Sequence, residues 1–280
     1  MPCTPTIVLG SGLATEATDG HDADRYVQIG SLTKVVTGTA LVRMAQAGLL
    51  DLDDPVEHWL PAAPGTGISL RNLADHTSGL PRLPPHLRRR DPYRSFDTLA
   101  LGLLLRDLDR VTAAQPGQRT EYSNLGYAVL GAALAAAAGG TYEELIRSHV
   151  LDPLAIDRIT AHPHDEERLL AKGRWGRPME PWTMTGAILP AGGLWATPTA
   201  AAHLVTGLLV DQVLGEPAVS WQRTGAAFWH NGATRGASVF TGAFPNGRWV
   251  LIHRLGGSPE TTDRMGGELL GGRIEQDRSL

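Results

Sequence analysis

The order of strand-like and helix-like patterns along these 280 residues predicts an α+β fold. Helical patterns fill the middle of the chain, strand patterns gather at both ends, and a Pro245-Asn246-Gly247 turn joins two of the last strands. The simplest assembly is an antiparallel sheet built from both chain ends and flanked by helices, plus a helical lobe. Residues 1–30 and 195–280 then form a sheet-containing lobe and residues 31–194 the helical lobe, as one compact unit.

Each element has its own signal. Thr6 to Leu9 is β-branched and apolar, and Gly10 to Gly12 bends it, which predicts a short strand. Tyr26 to Ile29 predicts a second. An apolar stripe runs from Ser31 to Gly48 and stops at the glycine, as a helix does. Asp51, Asp53 and Asp54 precede Pro55 and are read as helix capping. Ser69 caps a short helix to His76, and Leu80 to Tyr93, rich in proline and arginine, is read as an exposed excursion. Helices are predicted over Phe96 to Leu108, over Leu125 to Ala138 before Gly139-Gly140, and over Tyr142 to Val150, with Thr141 and Glu144 as a capping box. Ala161 to Met184 is irregular. Thr197 or Thr199 starts a helix ending near Gly215. Ala226 to Trp229, Ala237 to Phe244 and Arg248 to Arg254 are strands, and Glu260 to Leu270 closes the chain as a helix.

Composition narrows the class. An apolar fraction of 42% and a charged fraction of 19% describe an ordinary globular chain. Net charge is −4 with both signs dispersed, and the arginines between Arg82 and Arg94 are broken by prolines, so a nucleic-acid partner is not expected. No stretch is long and apolar enough for a bilayer span. The single cysteine, Cys3, excludes an internal disulfide. Met1 to Gly10 lacks the basic start and apolar run of a signal peptide. With Met1 as the true start, a cytoplasmic location is expected.

Chemistry concentrates at Ser31-Leu32-Thr33-Lys34. A serine and a lysine three apart on a helix share a face, which puts an amine within reach of a hydroxyl. Of 25 basic residues only Lys34 and Lys172 are lysines. Arginine keeps its proton in a protein, whereas a desolvated lysine can lose it and serve as a base. Glu121-Tyr122-Ser123-Asn124 lies at a turn before a helix and offers a phenol and an amide. His230-Asn231-Gly232 ends a predicted strand, where a glycine allows close backbone approach. Other clusters carry less. His76 and Ser78 read as turn residues, no Gly-x-Ser-x-Gly elbow occurs, and His162-x-His164 lacks a third ligand at metal-binding spacing, so no metal is expected.

Taken in order, Ser31-x-x-Lys34, Tyr122-x-Asn124 and His230-x-Gly232 resemble the motifs of the serine β-lactamase and penicillin-binding-protein superfamily. The closer resemblance is to the class C β-lactamase branch with its esterases, D-aminopeptidases and acyltransferases. Leu50 to Val56, Leu73 to Pro81, Gly126 to Gly131 and Ala191 to Leu194 match as well, so the similarity runs from about Ile7 to about Gly271. It implies a β-lactamase/transpeptidase-like fold with the site between lobes. It implies Ser31 as acylated nucleophile, Lys34 and Tyr122 sharing the proton work, and Asn124 holding the substrate carbonyl side. The backbone N–H groups of Ser31 and Ala233 would form the oxyanion hole. Burial is expected to lower the lysine pKa, and a nearby ammonium the tyrosine's. No cofactor is implied.

Departures shape the expected function. His230 stands where β-lactamases carry a lysine that helps hold a carboxylate, which weighs against β-lactam specialisation; nearby Arg235 is a candidate anion anchor. The stretch containing Trp182 precedes Gly192-Gly193, which borders the site in relatives, so Trp182 is either core packing or an apolar wall for an acyl group. Relatives have an N-terminal helix and a further strand ahead of the segment matching Thr6 to Gly12. Their absence predicts an open sheet edge and self-association across it. Two functions stay open. One is a serine acyl-transfer enzyme acting on a small ester or amide, as a hydrolase or a biosynthetic acyltransferase or cyclase. The other is a non-catalytic relative kept for binding or assembly.

Overall fold

The computed structural model describes residues 4–85, 87 and 90–271; Cys3, and Arg88 and Arg89 of the arginine-rich segment, lie outside them. The strands are β1 (Thr6–Gly10), β2 (Glu16–Thr18), β3 (Val27–Gln28), β4 (Ile159–Thr160), β5 (Trp195–Ala196), β6 (Gln222–Thr224), β7 (Ala227–Ala233), β8 (Ala237–Ala243) and β9 (Trp249–Leu255). Six of them form one antiparallel sheet in the order β2-β1-β9-β8-β7-β6. The two chain ends meet in it, with Thr6 of β1 opposite Arg254 of β9.

The helices are α1 (Thr33–Gln46), α2 (Val56–Trp59), α3 (Leu70–Ala74), α4 (Thr98–Arg106), α5 (Leu108–Val111), α6 (Asn124–Ala138), α7 (Tyr142–Ile146), α8 (Leu189–Gly192), α9 (Pro198–Val205) and α10 (Pro259–Leu270). Local chemistry sets their ends. Ser69 and Thr141 complete capping boxes with Asn72 and Glu144. Gly139, at φ 66°, closes α6 in the left-handed conformation that glycine adopts without strain. No single helix among the described residues is long and apolar enough to cross a membrane.

Both faces of the large sheet are buried, which period-two alternation explains. Phe240, Val250 and Ile252 face α10 and pack with Leu270. Gly266 lets α10 lie directly on the sheet, since a Cβ there would stand 2.0 Å from the Phe240 ring. Val239, Ala243 and Leu251 face the other way, into a core shared with α1, α6 and α9. Gly131 of α6 makes a similar close approach to Pro190 of α8.

Several expectations are corrected. Tyr26 to Ile29 does not extend the large sheet. β3 joins a separate three-stranded sheet, β3-β5-β4, because Val27 and Gln28 pair with Ala196 and Trp195. β7 continues past Trp229 to Ala233, so His230-Asn231-Gly232 lies inside a strand, paired to Thr241, Phe240 and Val239. The aspartates do not cap α2. Asp54 accepts from Asp51 N and Trp59 Nε1, and Asp53 pairs with Arg71 at 2.7 Å. The edge beyond β1 carries β2, a short exposed strand with Glu16 on it.

A buried histidine pair ties the N-terminal segment to β9. His253 Nε2 lies 3.1 Å from the Gln28 carbonyl, and His253 Nδ1 lies 2.9 Å from His21 Nε2. A carbonyl only accepts, so His253 Nε2 holds the proton and His253 Nδ1 accepts from His21 Nε2–H. His21 Nδ1 in turn accepts the Asp22 N–H at 2.8 Å. Every lone pair of both rings is used, and no position is left for another proton. Burial accordingly lowers His21 to about 4 and His253 to about 3. An unfolded imidazole titrates near 6.5, so between there and the folded values the unfolded chain binds more protons, and stability falls as pH falls. The expected slope is about 1.4 kcal/mol per pH unit for each histidine. The urea midpoint should be level above about pH 7 and drop towards pH 5; a midpoint equal or higher at pH 5 contradicts this account.

Candidate active site

Ser31 sits in a 3-10 turn, Gly30–Leu32, that leads straight into α1. The turn is held on two sides. On one, Ile29 N donates to Leu194 O at 3.2 Å and Leu194 N to Thr33 Oγ1 at 3.2 Å. On the other lies β7. Gly30 has φ +50°, and a Cβ on it would stand 2.9 Å from both the nitrogen and the oxygen of Ala233. A Cβ on Gly232 would stand 2.3 Å from Ile29 O and 2.9 Å from Ser31 N. The two glycines therefore bring the Ser31 and Ala233 backbones together, and Ala233 is exposed at that point of the strand.

Lys34 is fully buried on the first turn of α1, with its amine on the Ser31 side. Its Nζ lies 2.6 Å from Ala191 O, 2.8 Å from Asn124 Oδ1 and 3.2 Å from Ser31 Oγ. Burial drives its pKa well below the ordinary lysine value, and the Arg82 charge pushes the same way. A neutral amine has two N–H bonds and one lone pair. The two purely accepting oxygens consume the N–H bonds, which leaves the lone pair for the serine hydroxyl.

Tyr122 OH lies 2.6 Å from Ser31 Oγ. Burial pushes the phenol up to about 12, despite the opposing Ser31 hydrogen bond and Arg82 charge. The expected lowering by an ammonium is not seen, because the burial of Tyr122 itself dominates and raises the phenol. Tyr122 is thus a neutral donor to the serine oxygen. Behind it His76 packs against the Tyr122 ring at a tilt of 37°, centroids 4.6 Å apart, and accepts the Ser123 N–H at Nδ1. Asn124 uses its other end too, with Nδ2 donating to Tyr93 OH at 3.2 Å.

The remaining sequence candidates are placed less centrally. His230 is 2% exposed, and its Nδ1 donates to the Asn231 carbonyl at 2.6 Å. Burial lowers it to about 4, so the ring is neutral. Trp182 is half-buried and meets the Tyr93 ring edge-on at 6.1 Å, which puts it against the Asn124 side. Arg235 is exposed and donates to Glu180 O at 3.3 Å. His162 lies on the surface, 3.3 Å from Glu143. Sequence reasoning missed Tyr93, the Ala191 carbonyl and Arg82. The segment from Leu80 to Tyr93 is not a free excursion: Leu80 and Tyr93 are buried, and Asn124 N donates to Arg82 O at 2.9 Å. Proline and arginine content concealed this, since only the apolar Leu80 and Tyr93 mark the return.

The profile of the family described as Beta-lactamase matches residues 6–267, and the chain belongs to that family. The D-alanyl-D-alanine-carboxypeptidase/endopeptidase AmpH of Escherichia coli (strain K12) is 33% identical over 183 residues, covering 62% of this chain but only 46% of AmpH. The crystal structure of a β-lactamase/D-alanine carboxypeptidase from Yersinia pestis superposes with a TM-score of 0.75 at 20% identity, covering 95% of this chain and 92% of that one. The D-amino acid amidase of Ochrobactrum anthropi SV3 gives a TM-score of 0.71 at 20% identity, covering 91% and 86%. The fold is that of the β-lactamase/transpeptidase proteins.

The close approach of β7 to the serine turn can be tested directly. Gly232→Ala should cost about 1–3 kcal/mol, because the backbone of the serine turn at Ile29 and Ser31 cannot yield to the methyl. Gly102→Ala, inside α4 with open space around it, should gain up to about 1 kcal/mol. Urea unfolding at constant m-value reads both. A Gly232→Ala protein as stable as the parent contradicts the packing.

Proposed function

We propose that the protein is a serine acyl-transfer hydrolase that forms an acyl-enzyme on Ser31 from a small ester or amide. The observation that carries this reading is the hydrogen-bond count at Lys34. A fully buried amine with both N–H bonds committed to Asn124 and Ala191 offers only its lone pair to Ser31 Oγ. A serine hydroxyl becomes a competent nucleophile when a neighbouring base takes its proton.

The chemistry follows from the placement. Ser31 Oγ attacks the substrate carbonyl carbon while Lys34 Nζ takes the hydroxyl proton. The carbonyl oxygen becomes an oxyanion facing the backbone N–H groups of Ser31 and Ala233. Two such fixed donors each contribute a few kcal/mol to lowering the barrier, by about 2.7–4 kcal/mol where one has been removed elsewhere. Collapse of the tetrahedral adduct breaks the bond to the leaving group, which departs with a proton supplied through Tyr122 and the newly formed ammonium. Water then attacks the acyl-enzyme, again losing its proton to the Lys34–Tyr122 pair, and releases the acid and free Ser31. The amide of Asn124 faces the same space and is suited to orient an acyl carbonyl. The non-catalytic alternative gains no support from the site, since keeping an uncharged lysine buried has a cost that a binding scaffold has no reason to bear.

A p-nitrophenyl ester should give a burst of p-nitrophenol with an acyl mass increment on Ser31. Lys34→Ala should abolish the burst, and Tyr122→Phe should slow it by at least about a hundredfold. Absence of a Ser31 adduct with activated esters, β-lactams and fluorophosphonates alike, or an active Lys34→Ala variant, overturns the reading. The pH profile is a separate check. The base must be unprotonated and Tyr122 must keep its proton. So kcat/KM should rise through an acid limb well below the ordinary lysine range and stay level until close to the Tyr122 value of about 12. A profile still climbing near pH 10 would mean that Lys34 retains an ordinary pKa.

A further inference from the structure

We propose that Arg82 is a substrate-specificity residue that binds a carboxylate on the ester or amide, an assignment that rests on Ser31 acylation. Arg82 is exposed, and its guanidinium carbon lies 5.3 Å from the centroid of the Tyr122 ring, whose hydroxyl touches the nucleophile. Its backbone does not drift. Arg82 O accepts from Asn124 N at 2.9 Å, and the preceding Pro81 O accepts from Ser123 Oγ at 2.7 Å. The side chain is therefore mounted on the same turn that carries Tyr122 and Asn124.

Its charge is not spent elsewhere. Among the described residues no carboxylate lies within 4.0 Å of Arg82, although the flanking segments are rich in them. Each of those carboxylates has its own partner. Glu121 pairs with Arg119 at 2.9 Å, Asp75 accepts from Thr77, and Asp91 accepts from Thr183 N and Oγ1. A guanidinium resting one face against an aromatic ring keeps its edge donors free for bidentate contact with a planar anion. The charge also reaches the reacting groups, adding to the lowering of Lys34 and opposing the burial that raises Tyr122 and Tyr93. A negative substrate group laid on Arg82 thus sits within the electrostatic reach of the site. Arg235, the candidate suggested by the sequence, donates instead to the Glu180 carbonyl.

Three chromogenic esters test the assignment and locate the carboxylate. 4-Nitrophenyl hexanoate is neutral, mono-4-nitrophenyl adipate carries a carboxylate on the acyl side, and 3-carboxy-4-nitrophenyl hexanoate carries one on the leaving group. The parent protein should prefer one of the two acidic esters over the neutral one by at least tenfold in kcat/KM, and which one it prefers identifies the side. In Arg82→Gln that ratio should collapse towards one, in Arg82→Lys it should persist in part, and in Arg235→Gln it should stay as in the parent. A ratio unchanged in Arg82→Gln, no preference in the parent, or a collapse in Arg235→Gln instead overturns the assignment while leaving Ser31 acylation standing. If none of the esters leaves an adduct on Ser31 by intact mass, the acylation reading fails and this assignment fails with it.

Discussion

The site depends on one buried amine. Placing Lys34 where water cannot reach it makes the charged form costly, and the local hydrogen bonds then settle what the neutral form does. Ala191 O and Asn124 Oδ1 can only accept, so they orient the nitrogen as well as satisfy it. The same burial keeps Tyr122 protonated and His76 and His230 neutral. Burial thus disfavours charge throughout the cluster around Ser31.

That arrangement explains why distant parts of the chain converge here. α1 brings the serine and the amine, the start of α6 brings the phenol and the amide, α8 brings the orienting carbonyl, and β7 brings the backbone of Ala233. Four elements far apart in sequence must hold positions within tenths of an ångström of one another. Close-packed glycines are the means, with Gly30 and Gly232 at the strand–turn contact and Gly131 at the contact between α6 and α8.

Much of this was legible in the sequence where a local pattern carried it. The α1 stripe, the Ser69 and Thr141 caps, the Gly139 stop and the Pro245-Asn246-Gly247 hairpin are short-range signals, and the elements form where those signals lie. The grouping of Ser31, Lys34, Tyr122 and Asn124 was legible through ordered motifs. What escaped was set by tertiary contact. β2, β4, β5 and β6 are two or three residues long, too short for alternation to show. The aspartates near α2 satisfy a capping pattern but are claimed by Trp59 and Arg71. Tyr93 and Arg82 sit in a stretch whose composition reads as solvent-facing, and long-range bonds from Ser123 and Asn124 fold it back. The direction of the Tyr122 shift is set by its complete burial, which no spacing reveals.

The strand order carries a consequence for how the molecule comes into being. β1 finds its hydrogen-bond partner in β9, with Thr6 opposite Arg254, and the serine turn rests on Ala233 of β7, far along the chain from it. During synthesis the hydroxyl, amine and phenol emerge long before the backbone that faces them. Pairings of such separation carry a large loop-closure cost and form late. The close approach of the serine turn to Ala233 is therefore set up only once β7 has joined its neighbours, so the geometry around Ser31 reports on assembly of the sheet.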